Sequence, residues 1–251
     1  MDLNIKDRVF LVTAASKGLG FSVAKSLIDE GARVIICSRN EESLKNATSL
    51  LGENSSYYVV DLSKKDDVQK LLDSITTKFG RLDGLFVNAG GPPPGPFSRL
   101  IDEDWRKAFE LTLMSAVWLT RESLSLLRKS DAPSILYSTS ISVKQPIDNL
   151  LLSNALRPAV IGMMRTLAGE LAPDGIRLNA ICPGYIQTER VKELLSASQA
   201  AEEAIITKIP LGRIGKPEEF GPVCAFLLSP RASYVHGSLF LIDGGMYQGM
   251  M

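Results

Sequence analysis

The chain has 251 residues, 45% of them hydrophobic and 22% charged, which suits a globular protein with a substantial core. Its 28 Lys and Arg residues balance 28 Asp and Glu residues, so no global field recruits nucleic acid or an anionic membrane. The three cysteines, Cys37, Cys182 and Cys224, are widely spaced and form no C-x-x-C pair; this argues against a metal or dithiol site and fits a reducing, cytoplasmic compartment.

From the N-terminus, Met1-Asp2-Leu3-Asn4-Ile5-Lys6 has no apolar signal core, and no later apolar run is long enough to span a bilayer. Short apolar runs predict strands at 8–13, 33–38, 56–60, 84–88, 133–139, 176–181 and 238–242. Amphipathic stretches predict helices near 18–30, 41–51, 64–79, 102–129, 155–172, 190–207 and 216–228. Such alternation implies an α/β fold, a doubly wound parallel sheet of Rossmann type, as a single domain over 1–251. Runs such as Val34-Ile35-Ile36-Cys37 suit strands buried on both faces, with Cys37 as a small buried hydrophobe.

Two turns stand out. Val9 to Gly20 runs from an apolar strand into a helix, and Gly18 and Gly20 let backbone approach a pyrophosphate at the helix N-terminus. After the fourth strand comes Gly90-Gly91-Pro92-Pro93-Pro94-Gly95-Pro96, expected to be a rigid wall of the ligand cleft. His236, the only histidine, precedes Gly237 and an apolar strand and reads as structural. With no G-x-S-x-G elbow present, a hydrolase triad is not supported.

Thr13 to Gly20 resembles the T-G-x-x-x-G-x-G turn of the short-chain dehydrogenase/reductase family, with Ala14 where glycine is usual. Asn88-Ala89-Gly90, Cys182-Pro183-Gly184, Ile209-Pro210-Leu211-Gly212-Arg213, Pro217-Glu218-Glu219 and Asp243-Gly244-Gly245 are similar to further motifs of that family, in its order. The likeness is to a divergent, ketoacyl-reductase-like branch. It implies that Thr13, Ser16, Lys17, Gly18, Leu19 and Gly20 cradle the cofactor phosphates. Asp61 and Leu62 would then lie near adenine, Asn88, Ala89 and Gly90 along ribose, and Pro183, Gly184, Ile186 and Thr188 around nicotinamide. It also implies a substrate lid within 186–215, a small-molecule substrate and a homotetramer or homodimer.

At the end of the second strand a carboxylate would bind the ribose diol of NAD and repel the extra phosphate of NADP. The chain instead reads Cys37-Ser38-Arg39-Asn40, and Lys17 lies in the phosphate turn. Arg39 can fork onto a phosphate and Lys17 can add a point charge, so NADP(H) is expected over NAD(H).

The family's usual Asn, Ser, Tyr and Lys set is altered. Alignment on Pro158 to Ala168 puts Ser153 at the tyrosine position and Arg157 at the lysine position. Ser140, thirteen residues before Ser153, keeps the serine, and Thr112 stands at the asparagine position. Ser140 can polarise a carbonyl oxygen. Ser153 is too weak an acid to replace a phenol, and Arg157 can bind ribose hydroxyls without exchanging a proton. Lys144 and Tyr185 are both candidates for the missing acid, whose loss would cost about 10²–10⁴-fold. Pro158 disfavours helix at Arg157, which sets a start at Pro158, with Ser153 or Asn154 serving in the preceding turn and Ser153 open to reading as a local cap, against the start near 155 that the periodicity gives. Two functions stay open: an NADP(H)-dependent oxidoreductase with an atypical active site, or a catalytically silent nucleotide-binding or regulatory protein.

Overall fold

The computed structural model describes residues 1–195 and 199–250. Its strands fall on the apolar runs: β1 (Val9–Thr13), β2 (Arg33–Ser38), β3 (Ser55–Val59), β4 (Gly84–Val87), β5 (Ser134–Ser138), β6 (Arg177–Pro183) and β7 (Leu239–Ile242). They form one parallel sheet in the order β3-β2-β1-β4-β5-β6-β7. Parallel neighbours need long crossovers, and helices supply them on both faces. Chain order reverses between β1 and β4, which opens a crevice at their carboxyl ends.

Period-two alternation sends side chains of each strand to opposite faces. Val9 and Leu11 join Leu85, Val87, Ile135 and Tyr137 in one core layer, whereas Phe10 and Val12 join Val34, Ile36, Phe86 and Leu136 in the other. The first layer packs against α3 (Lys65–Phe79), α5 (Ser115–Leu127) and α6 (Leu151–Leu171). The second packs against α1 (Gly18–Asp29), α2 (Glu41–Leu51) and α9 (Pro217–Leu228). Cys37, Cys182 and Cys224 are buried free thiols.

The long helix expected over 102–129 is interrupted. It comprises α4 (Asp102–Phe109), one π-helical turn over Glu110–Met114, and then α5. The stretch expected as helix over 190–207 contains α7 (Glu189–Leu195) and α8 (Gln199–Ile206). Residues 196–198 of that stretch, within the expected lid of 186–215, lie outside the described residues.

The start of α6 departs from expectation. The helix begins at Leu151, runs through Pro158, and makes Ser153 an interior residue of its first turn rather than a cap. Pro158 does remove one helical hydrogen bond, but contacts from outside the helix hold its first two turns. The Asn154 amide pairs with both the N–H and the C=O of Ile147, at 3.1 and 2.9 Å. Arg157 donates from Nη1 to the carbonyls of Ser138 and Thr139, at 3.2 and 2.9 Å. Tertiary contacts here overrule the local preference.

His236 bridges β6 and α6, with Nδ1 accepting from the Leu178 N–H at 3.1 Å and Nε2 directed at the Ala168 carbonyl at 2.8 Å. Arg177, almost fully buried, donates to the carbonyls of Leu227, Leu228, Ser229 and Ala232, and so satisfies the C-terminal end of α9. Among the described residues no helix is long and apolar enough to cross a membrane. Nor, among them, does any group of three His, Cys, Asp or Glu side chains stand ready to hold a metal.

Candidate active site

A cleft of about 1450 Å³ runs along the carboxyl ends of the central strands. At one end lies the glycine turn between β1 and α1. Ser16, Lys17, Gly18 and Leu19 line it. Gly18 takes a φ of +62°, which favours a residue without a β-carbon. Gly20 is buried beneath the cleft rather than lining it. A β-carbon there would sit 2.6 Å from the Ala14 carbonyl oxygen, so its role is the close approach of α1 to the turn. Ala14 itself adopts φ +48°, a left-handed conformation its methyl group disfavours.

Thr13 does not reach the cleft either. Its side chain is fully buried, and its hydroxyl donates to the carbonyls of Phe86 and Asn88, at 3.2 and 2.6 Å. The Asn88 N–H donates back to that hydroxyl at 2.8 Å, and its amide reaches the carbonyls of Thr13 and Ala14. Thr13 and Asn88 thereby tie β1 to β4 and fix the turn between them. Asn88, Ala89, Gly90 and Gly91 line the cleft beyond this clamp.

At the end of β2, Ser38, Arg39, Asp61 and Leu62 line the cleft together. The Ser38 hydroxyl is buried with no hydrogen-bond partner, beside the exposed Arg39. Burial works to raise the Asp61 carboxyl, but hydrogen bonds from Ser63 and the charges of Arg39 and Lys64 bring it below the usual carboxylate range. Lys17 reaches across the cleft mouth and pairs with Glu189, at the start of α7.

The other end holds Ser140, Ser153, Arg157 and Tyr185. Ser140 opens the short turn after β5, where its Oγ accepts from the Ser142 N–H at 3.1 Å. That bond uses an oxygen lone pair and leaves the hydroxyl proton available to an acceptor in the cleft. Burial first, and the charge of Arg190 second, push the Arg157 guanidinium down to about 10. Burial and the Asp148 carboxylate raise the half-buried Tyr185 phenol above its ordinary value. Thr112 sits in the π-helical turn, its buried hydroxyl without a partner. It faces a cavity of about 20 Å³ shared with Gly90, Tyr137 and Arg157, room for roughly one water.

Pro183, Gly184, Tyr185, Ile186 and Thr188 follow β6 along the cleft. A β-carbon on Gly184 would lie 2.8 Å from Cβ of Asp243, so the terminal Asp-Gly-Gly segment packs directly on this turn. Lys144 is placed elsewhere. It is exposed, does not line the cleft, and holds its Nζ 5.9 Å from the ring centre of Tyr247. The Gly-Pro loop is a wall only in part: Gly90 and Gly91 line the cleft, and Gly95 bridges to Leu150, which lines it from the start of α6. Sequence reasoning missed Glu189 and Arg190, both of which line the cleft. The available signal was two charged residues directly after Thr188.

A family model described as enoyl-(acyl carrier protein) reductase matches residues 13–247. The 3-oxoacyl-[acyl-carrier-protein] reductase of Thermotoga maritima is 34% identical over 248 residues, covering 97% of this chain and 99% of the relative. The solved L-sorbose reductase of Gluconobacter frateurii, in complex with NADPH and L-sorbose, superposes with a TM-score of 0.94 at 30% identity, each chain covered completely. An NADPH-bound short-chain oxidoreductase from Pseudomonas aeruginosa, described as containing an atypical catalytic centre, superposes at 0.89 with 29% identity, covering 97% of this chain and 99% of its own.

Proposed function

This chain belongs to the short-chain dehydrogenase/reductase family, and from that premise we propose that it is an NADP(H)-dependent oxidoreductase acting on a small carbonyl or alcohol through an atypical active site. The observation that carries the reading is one continuous cleft holding both the glycine turn and the hydroxyls of Ser140 and Ser153.

The residues present fit the dinucleotide. Gly18 at φ +62° and the free N–H groups at the start of α1 suit a pyrophosphate. The orphaned Ser38 hydroxyl beside Arg39 suits the ribose phosphate of NADP, to which Lys17 adds charge on leaving Glu189. Asp61 and Leu62 would border adenine. Asn88, Ala89, Gly90 and Arg157 would follow the nicotinamide ribose, and Pro183, Gly184, Ile186 and Thr188 the ring. When bound, the nicotinamide supplies or accepts the hydride.

The chain's own residues then have distinct tasks. Ser140 donates its hydroxyl proton in a hydrogen bond to the substrate oxygen, and Ser153 offers a second hydroxyl beside it. Arg157, anchored on Ser138 and Thr139, contributes positive charge where an alkoxide develops. Tyr185 is the phenol in the cleft that we assign to pass a proton, since Lys144 does not line the cleft and stands by the Tyr247 ring. The α7–α8 segment serves as the substrate cover. NADPH-bound relatives of similar architecture support the cofactor assignment.

Thermal melts with NADP(H) and NAD(H), followed by NADPH consumption across a panel of ketones, test the proposal. NADPH is expected to raise Tm more than NADH and to be oxidised by at least one ketone. No rise with either cofactor defeats the nucleotide-binding reading. Stabilisation without turnover of any ketone points to the silent nucleotide-binding protein, a reading favoured by the serine at position 153 and by the commitment of Arg157 Nη1 to backbone carbonyls.

A further inference from the structure

Asn154 does not line the cleft, yet its side chain makes two hydrogen bonds to a residue that does. Its Oδ1 accepts from the Ile147 N–H at 3.1 Å, and its Nδ2 donates to the Ile147 carbonyl at 2.9 Å. A carboxamide paired in this way does for Ile147 what a neighbouring strand would do. The Ile147 carbonyl also accepts from the Leu150 N–H at 3.2 Å, and the Leu150 carbonyl accepts from the Asn154 N–H at 2.9 Å. Residues 144–149 form neither helix nor strand, so such ties decide their course. The chain reverses at Asn149, which takes a left-handed φ of +62°, and the Asn149 carbonyl accepts from the Gly95 N–H at 2.9 Å.

The residues held by these ties face the cleft with carbon. Ile147 and Leu150 are half-buried and line it, whereas Asp148 and Asn149 between them are exposed and do not. Leu150 stands three residues before Ser153, a spacing that puts both on one side of the head of α6, and both line the same cleft. An apolar surface therefore adjoins the Ser153 hydroxyl. A hydrocarbon chain gains from burial against such a surface, whereas a polar one loses water to side chains that cannot hydrogen-bond.

We infer that Asn154 is a positioning residue whose carboxamide holds Ile147 and Leu150 as an apolar wall beside Ser153, and that this wall selects carbonyl substrates carrying an uncharged alkyl chain. This rests on the oxidoreductase reading and names the substrate class of the same site.

The test uses NADPH-loaded protein, with 2-butanone, 2-hexanone and 2-octanone for turnover. Butanamide, hexanamide and octanamide serve for binding by calorimetry, because a carboxamide offers a similar oxygen and is a poor hydride acceptor. In the wild type, kcat/KM and affinity are expected to rise about two- to fourfold per added methylene. Asn154→Ala removes both side-chain bonds to Ile147. It is expected to reduce that gain to less than about 1.5-fold per methylene, chiefly through KM, without weakening NADPH. Leu150→Ala, which cuts the wall itself, should flatten the series likewise. Adding Asn154→Ala to it should flatten the series little further, since both changes act on one surface. If Asn154→Ala fails to fold, Asn154→Asp decides. It keeps an acceptor for the Ile147 N–H but sets a carboxylate oxygen against the Ile147 carbonyl, and it should flatten the series too.

The inference is overturned if chain length changes neither binding nor turnover in the wild type, or if the Asn154 variant keeps the wild-type gain per methylene. It is also overturned if that variant weakens every chain length by the same factor, the mark of a helix start that is merely loosened. Amide binding that depends on chain length and is flattened by the variant, without turnover of any ketone, sustains the wall and its positioning residue and defeats the oxidoreductase reading. Turnover of ketones with no dependence on chain length does the reverse.

Discussion

The two ends of the cleft are built on different principles. At the β1–β2 end the shape comes mostly from backbone: Gly18 at positive φ, Gly20 pressed on the Ala14 carbonyl, and the clamp between Thr13 and Asn88. At the β5–β6 end the chemistry comes from side chains oriented by distant backbone, as with Arg157 on Ser138 and Arg190 on Pro92. A backbone-built site tolerates little variation, because a single methyl group meets a carbonyl. A side-chain-built site can exchange its chemistry while the scaffold stays the same. On the proposed function, the comparison would explain how the glycine turn keeps its shape while Ser153 and Arg157 stand at the positions that the sequence alignment assigns to the family's tyrosine and lysine.

The largest effects are expected at the side-chain end. Ser140→Ala should lower kcat by about 10²–10³-fold, the size seen on removing one donor to a developing oxyanion. An unchanged kcat in steady-state assays would remove Ser140 from the mechanism. If Tyr185 passes the proton, Tyr185→Phe should cost about 10²-fold or more. A phenol must be protonated to donate, and burial with Asp148 raises its pKa above the ordinary value of 10.0. The reductive rate at saturating NADPH should therefore stay level through neutral and mildly alkaline pH and fall only above that value. A break below pH 9 in the wild type, absent from Tyr185→Ser, would instead trace the break to a Tyr185 of lowered pKa and contradict the raised one.

At the backbone-built end the expected effects are smaller. Arg39→Asp should cut the preference for NADPH over NADH by about 10–100-fold, the worth of one charge-assisted contact to phosphate. Retained preference in a paired Kd measurement would assign the phosphate to other groups. Ala14→Gly is the mildest. It should raise stability by about 0.5–1 kcal/mol, because relief of the left-handed strain outweighs the added freedom of the unfolded chain. A lower midpoint in urea melts would show that the turn is not strained.

Gly18, Arg39, Ser140, Ser153 and Arg157 all line the cleft. Thr13 and Gly20 belong to the same motif but act below the surface, as clamp and clearance. Lys144 was a reasonable acid by sequence distance from Ser140, only four residues away, yet the turn over Ile141–Val143 carries it outward to Tyr247.

What the sequence determined by itself was the alternation of strands and helices, the parallel sheet and the glycine turn. These follow from hydrophobic period and from backbone freedom, which are properties of neighbouring residues. The start of α6 at Leu151, the burial of the Thr112 hydroxyl beside a small cavity, and the placement of Arg190 over Gly91 were decided only in three dimensions. Each depends on partners distant in sequence, as when Arg190 meets a carbonyl ninety-eight residues earlier. A helix can be carried through a proline, and a cation seated on a glycine, only once the rest of the fold supplies the contacts that hold them there.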